Sequence, residues 1–176
     1  NYEPPEKTNF PIGSGKMPVY ATVGSAIMDL MGKENQIPNH VPLAHKPIVA
    51  ARYGYVKEGC KLNVDDLPPE LAVATRRDSK TGKVSNYSHV YKRLDRNKPS
   101  TTMVPGHNAF PIHPILNRTL TAREAARIQT FPDTHIFFGT RQEQCIQVGN
   151  AVPPKMAEPF LKKIREYIEN SEEVTP

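Results

Sequence analysis

Cysteine is nearly absent from this chain: Cys60 and Cys145 are the only two, far apart in sequence. Two isolated thiols build neither a zinc site nor a disulfide framework, so they point to a reducing, cytoplasmic setting. Long apolar runs are missing as well. No stretch reaches the roughly 18 consecutive apolar residues that a membrane-spanning helix needs, and no signal-peptide pattern opens the chain. An initiator methionine is also lacking, and the opening "NYEPPEK" reads as a piece of a longer polypeptide.

A self-sufficient catalytic set is missing too. Neither Cys60 in "EGCKL" nor Cys145 in "EQCIQ" has an adjacent base, which a nucleophilic thiol requires. "PIGSGKM" departs from a phosphate loop because Met17 follows Lys16 and the earlier glycine is absent. His40 and His45 have no cysteine or carboxylate cluster around them, so no metal site is expected. Paired catalytic carboxylates and a Gly-x-Ser-x-Gly elbow are not legible either.

What is present is one domain's worth of chain, 176 residues with 38% apolar content and 18 prolines. Proline at about twice its usual share predicts loops and short elements rather than long bundled helices. The net charge of +5 is unevenly placed: residues 76 to 98 hold Arg76, Arg77, Lys80, Lys83, Lys92, Arg93, Arg96 and Lys98 against Asp78 and Asp95, a local excess of +6. Two β-leaning runs flank Thr81-Gly82 there, with Tyr87, His89 and Tyr91 among the cations. This pattern reads as a hairpin with a basic tip, suited to phosphate contact or simply to a solvated face.

Helical signals are clearer. Thr22 or Ser25 caps a short helix with Ile27, Leu30 and Met31 inward and Gly32 as its stop; "PIVAARYGYV" reads equally as strand or helix. "LTAREAARIQTF" carries a capping box of Thr121 and Glu124, and "TRQEQCIQV" repeats it with Thr140 and Glu143. The last helix aligns Ala157, Phe160, Leu161, Ile164, Tyr167 and Ile168 on one stripe, with Pro159 in its early turns. Ahead of it, "QVGNAVPP" reads as a Gly149-Asn150 turn leading into a proline-started helix.

Taken together, "RLDRNKPSTTM", "FPIHPILNRTLTAREAARIQTFPDTHIFFG" and "QCIQVGNAVPPKMA" resemble the last two sequence blocks of the DNA cytosine-5 methyltransferases, in family order and spacing. The match is strong over residues 87 to 160 and looser over 20 to 60. The resemblance implies that Arg93, Pro99, Ser100 and Thr102 belong to the block that organises the target-recognition region. It implies that Gly149, Asn150 and Ala151 line an S-adenosylmethionine pocket. Arg76, Arg77, Lys80, Lys83, Arg93, Arg96, Lys98, Ser100 and Thr102 are the expected DNA contacts, while Arg123, Glu124 and Arg127 read as structural charges.

The family's Phe-x-Gly-x-Gly loop, Pro-Cys nucleophile, Glu-Asn-Val acid and Gln-x-Arg-x-Arg strand do not occur in these residues. No catalytic residue is therefore expected here. The expectation is an α+β chain: a lead-in and short helix over 1–44, a target-recognition region with short antiparallel strands over 45–112, and a helical segment over 113–176 that docks on a Rossmann-like catalytic domain or larger subunit. Double-stranded DNA is the expected substrate partner. A stand-alone, non-catalytic DNA-binding module is the alternative.

Overall fold

A computed structural model of the chain describes residues 21–73, 91–105 and 110–172. Among these residues the α-helices are α1 (Val23–Ile27), α2 (Pro47–Gly54), α3 (Ala122–Ile128), α4 (Arg141–Asn150) and α5 (Pro154–Glu172). None is long and apolar enough to cross a membrane.

Local chemistry accounts for where these helices start. Thr22, Thr121 and Thr140 each accept from the backbone N–H three residues on, and Ser25, Glu124 and Glu143 return the bond to the cap, so α1, α3 and α4 all open on full capping boxes. The ambiguous stretch after Lys46 resolves as helix, with Pro47 in the first turn, where its missing N–H costs nothing. α5 likewise begins at Pro154 and runs on through Pro159.

The antiparallel strands expected over 45–112 are not seen among the described residues. Their pairing is limited to three isolated bridges, Lys61 with Lys92, Arg93 with Ile112, and Ile112 with Thr119. The basic hairpin itself lies outside the described residues, since 74–90 are not among them.

One apolar core unites the chain. Val23, Ile27 and Leu30 meet Leu94, Met103 and Phe110 from the middle of the sequence, Leu120 just ahead of α3, Ala125 and Ala126 from α3, and Cys145 and Val148 from α4. A smaller cluster of Tyr53, Val56, Leu62 and Ile112 packs beneath α2. Helix α3 is buried nearly all round, Arg123 and Glu124 included, so it is the central rod of the fold. α5 is the opposite case: Phe160, Leu161, Ile164, Tyr167 and Ile168 are all exposed.

Glu124 is held by Arg118 in a two-pronged pair at 2.7 and 2.8 Å and also accepts from the Thr121 N–H. Burial pushes its carboxyl upward, but the Arg118 bonds outweigh that and keep it below the ordinary glutamate value. Above it, His113 Nδ1 accepts from the Ile115 and Leu116 N–H groups at 3.1 Å. The ring proton therefore sits on Nε2, which faces Glu124 Oε1 at 3.8 Å with no closer partner.

Burial drives the His113 pKa from 6.5 down to about 4. Between those values the unfolded chain binds a proton that the folded chain refuses. The stabilisation from neutral His113 is thus complete above pH 6.5 and falls away toward pH 4, by about 3 kcal/mol. Urea unfolding of the wild type should weaken across this window, and His113→Asn, which keeps an acceptor but cannot titrate there, should flatten the slope. Equal slopes for both proteins would contradict this assignment.

Candidate functional site

An open cleft of about 900 Å³ runs along one side of α1 and α3. The start of α1 contributes Thr22 and Ser25; the extended segment after Lys98 contributes Pro99 to Met103; the end of α3 contributes Gln129, Phe131 and Asp133; and Gly149, Ala151 and Pro153 close the far side. Ser100 and Thr102, expected at DNA, thus share a cleft with Gly149 and Ala151, expected at the cofactor. Asn150 stands exposed at the last residue of α4 and is not part of the lining.

The expected Gly149-Asn150 turn is corrected. Both residues are helical and end α4, and the chain leaves the helix at Ala151, which is extended. Gln129 from the end of α3 donates to the Val148 carbonyl and ties down this last turn. The physical need for glycine at 149 is a close approach: the backbone of Pro105 lies against the position a Cβ would take.

Arg127 and the carboxylates beside the cleft are paired. Arg127 bridges Asp29 at 2.6 Å and Asp133 at 2.5 Å, and its hydrogen bonds hold both carboxyls below their ordinary value. Arg123 donates to the carbonyls of Pro38, Pro132 and His135 at 2.6 to 3.0 Å. Both arginines and Glu124 are thus engaged in ion pairs and hydrogen bonds within the fold. Gln129, Phe131 and Asp133 were not singled out in the sequence: a neutral amide at a helix end and a following Phe-Pro-Asp carry no catalytic signature of their own.

The expected DNA contacts separate into distinct groups. Arg93 is corrected: only 4% exposed, it donates to the carbonyls of Tyr53, Val56, His113 and Leu116 and to Asn117 Oδ1 at 2.7 to 2.9 Å. All of its donors point inward, so none is left for a phosphate. Arg96 lies exposed in a fork-on-fork pair with Glu58 at 3.0 Å, and Lys98 reaches Asp95 at 3.0 Å from an exposed position. Exposed pairs of this kind are weak and exchange readily for a stronger anion. Arg76, Arg77, Lys80 and Lys83 lie outside the described residues.

The cleft lining combines hydroxyls, small and aliphatic residues, Gln129, one aromatic ring and Lys155, with its carboxylate Asp133 paired to Arg127. Among the described residues no group of three or more His, Cys, Asp or Glu is placed to hold a metal ion.

Comparison with known proteins identifies the family. The chain belongs to the C-5 cytosine-specific DNA methylases, whose family model matches residues 6–166. The Type II methyltransferase M.DdeI of Desulfomicrobium norvegicum is 36% identical over 140 residues, which is 75% of this chain and 33% of that protein. The Type II methyltransferase M.AquIB of Picosynechococcus is 36% identical over 148 residues, or 77% of this chain and 93% of that protein. A solved E. coli prophage protein, titled as a DNA modification methyltransferase, superposes with a TM-score of 0.51 at 29% identity over 76% of this chain and 30% of its own. The chain therefore spans about a third of M.DdeI and of the solved protein, but nearly all of M.AquIB. Enzymes of this family methylate cytosine in DNA with S-adenosylmethionine.

Replacing Arg93 by Met leaves the carbonyls of Tyr53, Val56, His113 and Leu116 buried without a donor. The expected loss is about 3–5 kcal/mol of unfolding free energy in urea. Arg93→Lys should recover only part of it, because an ammonium cannot reach in so many directions. A lysine variant as stable as the wild type would contradict the carbonyl-hub role.

Proposed function

We propose that this chain is the C-terminal fragment or small subunit of a DNA (cytosine-5-)-methyltransferase, contributing DNA target recognition and one wall of the S-adenosylmethionine pocket. The observation that carries the reading is the shared cleft: Ser100 and Thr102 from the recognition block face Gly149 and Ala151 from the last block across one space. The M.AquIB match supports it further, since a protein little longer than the matched stretch bears the name of a Type II methyltransferase.

In this reading the cofactor, when bound, supplies the methyl group. The backbone of Gly149 to Ala151 and the hydroxyls of Ser100 and Thr102 border it, the exposed Asn150 amide stands at the rim, and Phe131 excludes water from the apolar floor. The catalytic thiol and acid belong to a catalytic domain or larger subunit. The exposed stripe of α5, Phe160, Ile164, Tyr167 and Ile168, is the surface that docks there, because an apolar face of that length is unfavourable in water.

Double-stranded DNA is met by the basic segment. Arg76, Arg77, Lys80 and Lys83, with Arg96 and Lys98 released from their exposed pairs, supply phosphate contacts without reading sequence. If six such cations engage, log affinity should fall against log salt with a slope of roughly −5. Titration of a labelled duplex at several salt concentrations reads this slope directly, and a salt-independent affinity would rule the footprint out.

A second test addresses docking. Light scattering of the isolated chain should show self-association that disappears in Phe160→Asp/Ile164→Asp and that gives way to a discrete complex on adding the catalytic portion. A strictly monomeric chain that ignores the catalytic portion would overturn the docking role of α5.

A further inference from the structure

The segment from Arg96 to Pro105 crosses from α1 to α4, and a glycine stands at each end of the crossing. At its start the Val23 and Gly24 N–H groups donate to the Lys98 and Arg96 carbonyls at 2.9 and 2.8 Å. A Cβ on Gly24 would lie 2.7 Å from the Arg96 carbonyl oxygen. At its end a Cβ on Gly149 would lie 2.6 Å from the Pro105 nitrogen and 2.9 Å from its Cβ, and closer still to its Cα. Three of these four neighbours are backbone atoms, which cannot rotate away as a side-chain tip can.

Glycine inside a helix costs about 1 kcal/mol relative to alanine, yet both helices keep one at the point of contact. Neither helix is free to retreat. α1 is fixed by Val23 and Ile27 in the core, and α4 by Cys145, Val148 and the Gln129 bond to the Val148 carbonyl. Any added methyl must therefore be absorbed by the crossing segment, whose middle carries Ser100, Thr101 and Thr102 into the cleft.

We propose that Gly24 and Gly149 are positioning residues that seat the two ends of the crossing segment and thereby set the distance between the Ser100–Thr102 and Gly149–Ala151 walls. Gly149 lines the cleft as well, and its positioning role acts through Pro105. The seating rests on geometry alone; only its consequence for the methyl donor rests on the proposed function of the cleft.

Hydrogen exchange on the full chain tests the seating. Gly24→Ala and Gly149→Ala should each speed exchange of the Val23 and Lys98 amides, which donate to the Lys98 and Asp95 carbonyls at the start of the segment, by about tenfold. The Leu94 and Ile112 amides, bonded to Ile112 and Lys92 carbonyls, should stay unchanged. Unchanged exchange of the Val23 and Lys98 amides in both variants would overturn the proposal. Should Gly149→Ala fail to fold, Gly149→Ala/Pro105→Gly is informative, because glycine at 105 removes the ring and lets that backbone step aside. Recovery of cooperative unfolding supports the seating, and an equally unfolded double variant overturns it.

Binding measured with the catalytic portion added separates this inference from the reading of the cleft. Weaker S-adenosylmethionine binding together with the faster exchange supports both. Faster exchange with donor affinity unaltered keeps the seating and removes the donor role of the cleft.

Discussion

Buried guanidinium groups carry the connectivity that a β-sheet would supply elsewhere. Arg93 gathers carbonyls from the end of α2 and from the loop at 113–117, and Arg123 gathers them from the loops at 38 and at 132–135. Among the described residues the ladder pairing is three isolated bridges, so many loop carbonyls lack strand partners. A buried carbonyl without a donor is costly, and a planar fork with five N–H groups satisfies several at once. The desolvation of each guanidinium is offset by these bonds rather than by a buried carboxylate.

That economy explains which features were legible in the sequence. The caps at Thr121 and Thr140 depend on residues three positions apart, and the stripe of α5 repeats at helical spacing, so both could be read directly. The role of Arg93 could not: in one dimension it is another cation in a basic run, and only the return of residues 53–56 and 113–117 turns it inward. Gly149 was misread for a similar reason. Next to asparagine it looks like a turn, but what demands glycine is Pro105, far back in the chain. "PIVAARYGYV" remained open because strand and helix patterns overlap in short apolar runs, and the tertiary packing of Tyr53 decides it.

The shared cleft connects this framework to function. Two blocks that the sequence separates, one around Ser100 and one around Gly149, meet directly at Pro105 and Gly149, and both are anchored on α3 through the shared core and Gln129. The resemblance located the blocks, while the cleft came from the fold. Family membership supplies the chemistry. In the proposed reading the chain's own contribution is shape: a hydroxyl-bearing wall, a helix end fixed from both sides, and an exposed apolar helix face for docking.

Methyl transfer to duplex DNA from labelled S-adenosylmethionine tests this division of labour most directly. The purified chain alone should incorporate no label into cytosine, and the same chain mixed with the catalytic portion of the enzyme should incorporate it in proportion to the complex formed. Incorporation by the chain alone would contradict the account, since it would place a competent thiol within these residues.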